Sequence, residues 1–209
     1  MFTGIVQGMG SVIAVDARVG LTSFVVALGA RRGGALERGA SIAIDGVCLT
    51  ATDIAEDQVR FDAMGETLGR TTLDRLEVGQ RVNVERSARV GDEIGGHLVS
   101  GHIEETACIC EVEVSENNHV VTFEFSRRTL DYLFDKGFVA LDGCSLTVVE
   151  VDRRLGRFEV HFIPETLAVT TFGFKRVGDR VNLELDPQTR AIVDSVERVL
   201  EQRRARGLE

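Results

Sequence analysis

Apolar residues fall in short runs along this chain, and each run is closed by Gly, Asp or Asn. Residues 24–28, 41–44, 59–61 and 81–84 are rich in Val, Ile and Phe, and this predicts β-strands. Residues 120–125, 139–141, 158–162 and 180–185 give the same signal. Four or more short strands per ~90 residues predict a small closed barrel. Helical spacing is rarer. Apolar residues three and four apart predict a short helix over 127–134, with a weaker counterpart over 30–36. A further helical turn is expected over 66–73 and again over 165–172. The tail differs from all of this. Asp186-Pro187 is a helix start, because Asp can cap free amides and Pro suits the first helical position. Beyond it Ile192, Val193, Val196, Val199 and Leu200 form one stripe, and the other face is charged. That stripe could cover the protein's own barrels or meet the same stripe on other subunits. A lone terminal helix with a narrow apolar seam has little stability of its own, which favours association between subunits.

The strand pattern occurs twice. Asp45-Gly46-Val47-Cys48-Leu49-Thr50 returns as Asp142-Gly143-Cys144-Ser145-Leu146-Thr147, 97 positions on. The block starting Gly65-Glu66-Thr67-Leu68 returns as Pro164-Glu165-Thr166-Leu167, and Val78-Gly79-Gln80-Arg81-Val82-Asn83 returns as Val177-Gly178-Asp179-Arg180-Val181-Asn182, both 99 positions on. Matched blocks in order at a nearly constant offset mean tandem duplication. The divisions expected are 1–97, 98–186 and a terminal helix over 187–209.

Composition narrows the function classes. The net charge of −9 argues against nucleic acid and anionic membranes as partners, since both need clustered Lys and Arg. No run approaches the ~20 apolar residues of a membrane span, and the first residues lack the basic and apolar regions of a signal peptide. The four cysteines are then expected as free thiols, and the cytoplasm is the default location.

The copies differ at chemically useful positions. Cys48 faces Ser145 in the alignment, Ile5 faces His102, and Met64 faces Ile163. Similar pockets with different polar residues suggest two different jobs. The acidic neighbour of Cys48 does not favour a thiolate, so a ligand contact or hydrogen bond is expected of it rather than covalent catalysis. His97 and His102 are five apart and would point to opposite faces of a strand. Cys108 and Cys110 share a strand face but lack a second pair at zinc spacing, so no metal site is expected. The segment Gly95-Gly96-His97 reads as a turn joining two barrels, since it matches no phosphate-loop pattern.

Met1-Phe2-Thr3-Gly4-Ile5-Val6, Gly46-Val47-Cys48-Leu49-Thr50, Gly95 to His102, Asp142 to Thr147, Ile163 to Leu167 and Asp186-Pro187-Gln188-Thr189 together resemble riboflavin synthase of the alpha-chain type, across essentially the whole chain. The resemblance implies a mainly β fold of two tandem six-stranded barrels plus a C-terminal α-helix. It implies a homotrimer held by that helix, with each active site between the first barrel of one subunit and the second of its neighbour. The implied reaction is a dismutation of two 6,7-dimethyl-8-ribityllumazine molecules. A four-carbon unit passes between them, giving riboflavin and 5-amino-6-(D-ribitylamino)uracil, and no cofactor or metal is needed. A lumazine synthase is an allowed partner. The rival reading is a non-catalytic lumazine- or flavin-binding antenna protein of the same fold. It is disfavoured because such proteins tend to lose the matching polar residues in one barrel, and they are present here. Cys144, where an aliphatic residue is more usual, and the Arg70-Thr71-Thr72-Leu73-Asp74 stretch depart from the family pattern without touching the key positions.

By the same resemblance, Phe2, Ser41, Cys48, His102, Ser145 and Asp186 stand at the chemistry. Gly4, Ile5, Val6, Cys48, Leu49 and Thr50 would contact substrate, as would Asp62, Ala63, Met64, Gly65, Glu66 and Thr67. Gly101, His102, Ile103, Lys136, Ser145, Leu146 and Thr147 continue the set, and Phe162, Ile163, Pro164, Glu165, Thr166 and Leu167 complete it. His102 is the natural proton carrier at neutral pH.

Overall fold

The computed structural model describes residues 1–29, 36–116 and 118–207. The helix expected over 30–36 lies almost wholly outside them. Among the described residues, fourteen strands form two seven-stranded antiparallel sheets of the same order. The first contains β1 (Met9–Arg18), β2 (Leu21–Ala27), β3 (Ser41–Ile44), β4 (Val47–Thr50), β5 (Asp53–Ala55), β6 (Gln58–Met64) and β7 (Arg81–Arg86). The second contains β8 (Glu105–Ser115), β9 (Asn118–Glu124), β10 (Phe138–Leu141), β11 (Cys144–Thr147), β12 (Glu150–Asp152), β13 (Arg157–His161) and β14 (Arg180–Leu185).

Each sheet curls until its edges meet. The order β4-β3-β7-β1-β2-β6-β5 leaves β4 and β5 at opposite edges, yet only Ala51 and Thr52 separate them in sequence. Ala51 N–H donates to the Ala40 carbonyl at 2.9 Å, and Thr52 N–H donates to the Arg60 carbonyl at 2.9 Å. One bent segment therefore serves both edges, so the seven strands of each sheet amount to the expected six-stranded barrel once β4 and β5 are counted as one bent strand. Val148 and Val149 close the second sheet in the same way, on Gly137 and Glu159.

Alternation drives the burial. In β6 the residues Val59, Phe61 and Ala63 point inward while their neighbours face solvent. Phe24 and Phe61 meet at 5.6 Å in the first core, and Phe123 and Phe158 at 5.3 Å in the second. Each such side chain contributes about 1.5–3 kcal/mol on burial.

The turns follow from sequence. Asp45 and Gly46 have φ of 43° and 79°, and Asp142 and Gly143 have 43° and 78°. Two left-handed residues between paired strands make the tight hairpin that Asp-Gly favours. The expected helical turns are α1 (Gly65–Arg70) and α2 (Pro164–Val169), each running into a 3-10 turn, over Thr72–Arg75 and Thr171–Gly173. The helix expected over 127–134 is instead a 3-10 turn, Arg127–Tyr132. Arg153 donates to the Leu130 and Leu133 carbonyls at 2.8 and 3.0 Å, so those acceptors are satisfied without an α-helical turn.

The terminal helix, α3 (Pro187–Ala205), is capped by Asp186, which accepts from the Thr189 amide at 2.9 Å and the Thr189 hydroxyl at 2.6 Å. Ile192, Val196, Val199 and Leu200 are exposed, so the protein's own barrels do not cover most of the stripe. No helix among the described residues is long and apolar enough to cross a membrane.

The barrels dock around a pseudo-twofold axis marked by Gly46 and Gly143. A Cβ on Gly46 would lie 2.5 Å from the Gly143 nitrogen, so glycine is required for the contact as well as for the turn. Asn83 and Asn182 tie the halves together. Asn83 Nδ2 donates to the Asp142 carbonyl at 2.9 Å, and Asn182 Nδ2 donates to the Asp45 carbonyl at 2.8 Å. Their Oδ1 atoms accept the amides of Thr171 and Thr72, each from the opposite barrel, at 2.8 Å.

Candidate functional site

Two short arms precede the barrels, and each docks on the other barrel. Glu85 of β7 holds the first arm, accepting from the Thr3 amide at 2.7 Å, the Thr3 hydroxyl at 2.8 Å and the Gly4 amide at 3.1 Å. Glu184 of β14 holds the second through the Ser100 amide and hydroxyl, both at 2.6 Å, and the Gly101 amide at 2.9 Å. Burial pushes both carboxyls above the usual range, although these donors pull the other way. The exchange is then completed by the backbone. The Cys48 amide donates to the Gly101 carbonyl at 3.0 Å, and the Ser145 amide donates to the Gly4 carbonyl at 2.8 Å. Val6 enters the core of the second barrel, and Ile103 packs against the core of the first.

This arrangement brings Cys48 together with Gly101, His102 and Ile103. With Glu66 and Thr67 of α1 they line a cleft of about 300 Å³. All six are residues expected at ligand sites. Val47, Arg70, Thr71, Glu104 and Arg190 complete the cleft and were not expected there. Arg70 follows Glu66 by four residues and pairs with it at 2.7 Å, so helical spacing could have found it. Arg190 reaches the cleft from α3 and pairs with Glu104 at 2.8 Å, a contact that no local pattern announces. His102 is exposed at the cleft.

The matching position in the second barrel is covered. His97 Nδ1 lies 2.7 Å from Ser145 Oγ, and the imidazole stacks on Phe138 at 5.2 Å. A Cβ on Gly96 would come within 2.6 Å of the Ser145 Cβ, so only glycine lets the linker pass this close. Burial lowers the His97 pKa, with the nearby Asp186 carboxylate opposing it. Burial alone would raise the Asp186 pKa, but the Thr189 and Gln188 donors, with His97 nearby, hold it below the usual carboxylate range. The linker expected as a simple turn is thus a cover for the Ser145 position.

Other expected residues lie elsewhere. Phe2 is fully buried with Ala43, Val99 and Ala140, and Cys48 packs against that cluster. Leu49, Ala63 and Leu146 belong to the barrel interiors, and Thr50 and Thr147 face solvent. Ser41 is half-buried at the start of β3 and lies outside the Cys48 cleft, as do exposed Lys136 and Asp62, which bonds Ser23 at 2.6 Å. Met64 and Gly65 are exposed where β6 runs into α1. Ile5 is exposed beside Gly4. Phe162, Pro164 and Leu167 line a separate cleft beside the β8–β9 hairpin, while Ile163 and Glu165 are exposed and Thr166 accepts the Thr170 hydroxyl on its carbonyl at 2.6 Å. No group of three metal-ligating side chains occurs among the described residues.

Comparison with known proteins agrees with this architecture. The lumazine binding domain family matches residues 3–87 and 100–186. The chain is 51% identical to riboflavin synthase of Escherichia coli (strain K12) over 201 residues, covering 96% of this chain and 93% of that protein. It is 44% identical to riboflavin synthase of Chlamydia pneumoniae over 200 residues, covering 96% and 97%. The crystal structure of LumP complexed with riboflavin superposes with a TM-score of 0.81 at 25% identity, covering 88% of this chain and 99% of that one. Two lumazine-binding repeats on a shared fold, with this identity over nearly the full length, place the chain in the riboflavin synthase family.

Proposed function

We infer that this chain is an enzyme that converts two molecules of 6,7-dimethyl-8-ribityllumazine into riboflavin and 5-amino-6-(D-ribitylamino)uracil. The observation that carries this reading is the open cleft in which the exchanged arm sets His102 beside Cys48. The apolar side chains of Val47 and Ile103 suit a flat ring, and the surrounding Glu, Arg and Thr side chains suit a polyol chain. In the reaction a proton leaves the 7-methyl group of one lumazine, whose carbanion attacks the other. Transfer of the four-carbon unit follows. His102 is the group at the cleft suited to carry that proton, a role worth roughly 10²–10⁴-fold in rate. Aligning two rings supplies up to about 7–11 kcal/mol more. Cys48 positions the ring in the first barrel, and Ser145 serves the second lumazine once the His97 cover moves aside.

The two ligands would meet between the first barrel of one subunit and the second barrel of its neighbour. Residues 1–97, 98–186 and 187–209 then act as two binding units and an assembly helix. The exposed stripe on α3 fits a homotrimer, and four free cysteines suit a cytoplasmic setting. Association with lumazine synthase belongs to the same reading and is checked by co-elution of the two proteins.

Incubating the purified protein with 6,7-dimethyl-8-ribityllumazine alone should yield riboflavin and the pyrimidinedione in equal amounts. Tight binding without product at high protein concentration would overturn the enzyme in favour of a non-catalytic antenna protein. Removing residues 187–209 should give monomers on a sizing column, and a surviving trimer would reject the helix as the contact.

A further inference from the structure

The groove between the barrels on the far side of Thr72 and Thr171 has a composition that the lumazine chemistry does not use. It encloses about 530 Å³ and shares no lining residue with the Cys48 cleft. Four cations line it: Arg75, Arg81, Lys175 and Arg180. Among the described residues, Asp179 is the single carboxylate in the lining. A chain with 24 basic and 33 acidic residues thus gathers four positive charges in one groove. Such a gathering attracts an anion.

The cations are largely free to bind. Among the described residues Arg81 joins no ion pair or side-chain hydrogen bond, and Arg180 donates to the Thr106 hydroxyl, a neutral partner. Arg75 meets Asp74 only at 3.7 Å, with both side chains exposed. Lys175 is the fixed member, held 3.0 Å from the buried Asp142 carboxylate. Thr171 adds a second observation: it is 2% exposed, it lines the groove, and its hydroxyl has no hydrogen-bond partner. A buried hydroxyl left unpaired is costly and calls for a partner.

The walls are rigid. The Asn182 and Asn83 side chains fix Thr72 and Thr171 from the opposite barrels. Gly79 and Gly178 face each half with open space where a side chain would stand. The repeat gives the groove matched arginines, Arg81 and Arg180, but it sets Phe174 opposite Arg75. Half-exposed Phe174 therefore gives one wall an aromatic surface.

We propose that this inter-barrel groove binds a small organic phosphate, with the phosphate held by Arg81, Arg180 and the Thr171 hydroxyl and the organic part resting on Phe174. Guanidinium forks match phosphate oxygens in pairs, which favours phosphate over a halide. The ligand would bridge the barrels at a place distinct from the lumazine cleft.

The test uses the full chain at constant ionic strength, titrated with phenyl phosphate, inorganic phosphate and phenol by isothermal calorimetry. Both phosphates should bind saturably, phenyl phosphate more tightly, and phenol should not bind. The Arg81→Gln, Arg180→Gln double variant changes two exposed side chains, and thermal melting without ligand checks that it folds. It should weaken both phosphates by about tenfold or more. Phe174→Ala should bring phenyl phosphate down to the affinity of inorganic phosphate. Absence of saturable binding at millimolar phosphate, or binding unmoved in the folded double variant, would overturn the site. Equal binding of the two phosphates by the unaltered protein would overturn the organic part of the ligand.

Discussion

Cys48 and Ser145 occupy the same register position in the two barrels, opposite Ala43 and Ala140, yet their surroundings differ. Cys48 stands in an open cleft with His102, whereas Ser145 lies under Gly96 and His97. The backbone contact is common to both, since each amide donates to a glycine of the exchanged arm. What differs is what the chain adds outside the barrel. A duplicated scaffold can hold identical main-chain geometry while the arms decide which pocket is open. The lesson is that divergence of function after duplication can reside in connecting segments rather than in the sheets.

The comparison can be broken most directly at His102. Replacing it with Ala should lower turnover by about 10²-fold or more while leaving the melting temperature nearly unchanged, as expected for an exposed general acid–base. Steady-state riboflavin formation measures this, and an unchanged rate would remove the first barrel's cleft from the chemistry. Cys48→Ser makes the two register positions alike. We expect turnover to fall by about tenfold, roughly 1.4 kcal/mol, with lumazine affinity changed much less. Equal losses in turnover and affinity would make Cys48 a binding residue only.

His97→Ala tests the cover. It removes a hydrogen bond and a ring stack and should cost about 1–2 kcal/mol in urea unfolding, with turnover reduced less than for His102→Ala. A loss of turnover equal to that of His102→Ala would mean that the covered pocket is the reactive one. A separate test concerns the axis between the pockets. Burial, and then the nearby Asp142 charge, push the Asp45 pKa from 3.8 to about 8, while Lys175 and the Asn83 amide oppose them. A raised folded-state value stabilises the fold below 3.8, and that contribution is lost as pH rises through about 8. Asp45→Asn should therefore flatten the fall in melting temperature between pH 5 and pH 8, by calorimetry. A slope equal to that of the unaltered protein would place the pH dependence on other groups.

Much of the architecture was legible beforehand because it rests on local rules. The Asp-Gly pairs specify tight hairpins, alternation specifies inward faces, and Asp186-Pro187 specifies a helix start. Strands β1 and β8 carry no clear apolar signal because their outer halves are a largely exposed ribbon, where residues such as Asp16 and Glu113 break the pattern. The helix expected over 127–134 is a 3-10 turn, Arg127–Tyr132, for another reason. The Leu130 carbonyl, and that of Leu133 just beyond the turn, are met by Arg153, about twenty residues on, and periodicity cannot see such a partner.

By itself the sequence determined the duplication, the strand content, the terminal helix and the set of unlike polar positions, because repeats and periodicities are properties of neighbours along the chain. It paired Ile5 with the first copy and His102 with the second. Only the tertiary structure decided that the arms exchange, so that His102 joins Cys48 while Gly4 and its neighbours join Ser145. The physical reason is the buried carboxylates of Glu85 and Glu184. Each binds three donors of its own arm and aims that arm across the interface, where the opposite hairpin offers the unpaired amide of Cys48 or Ser145.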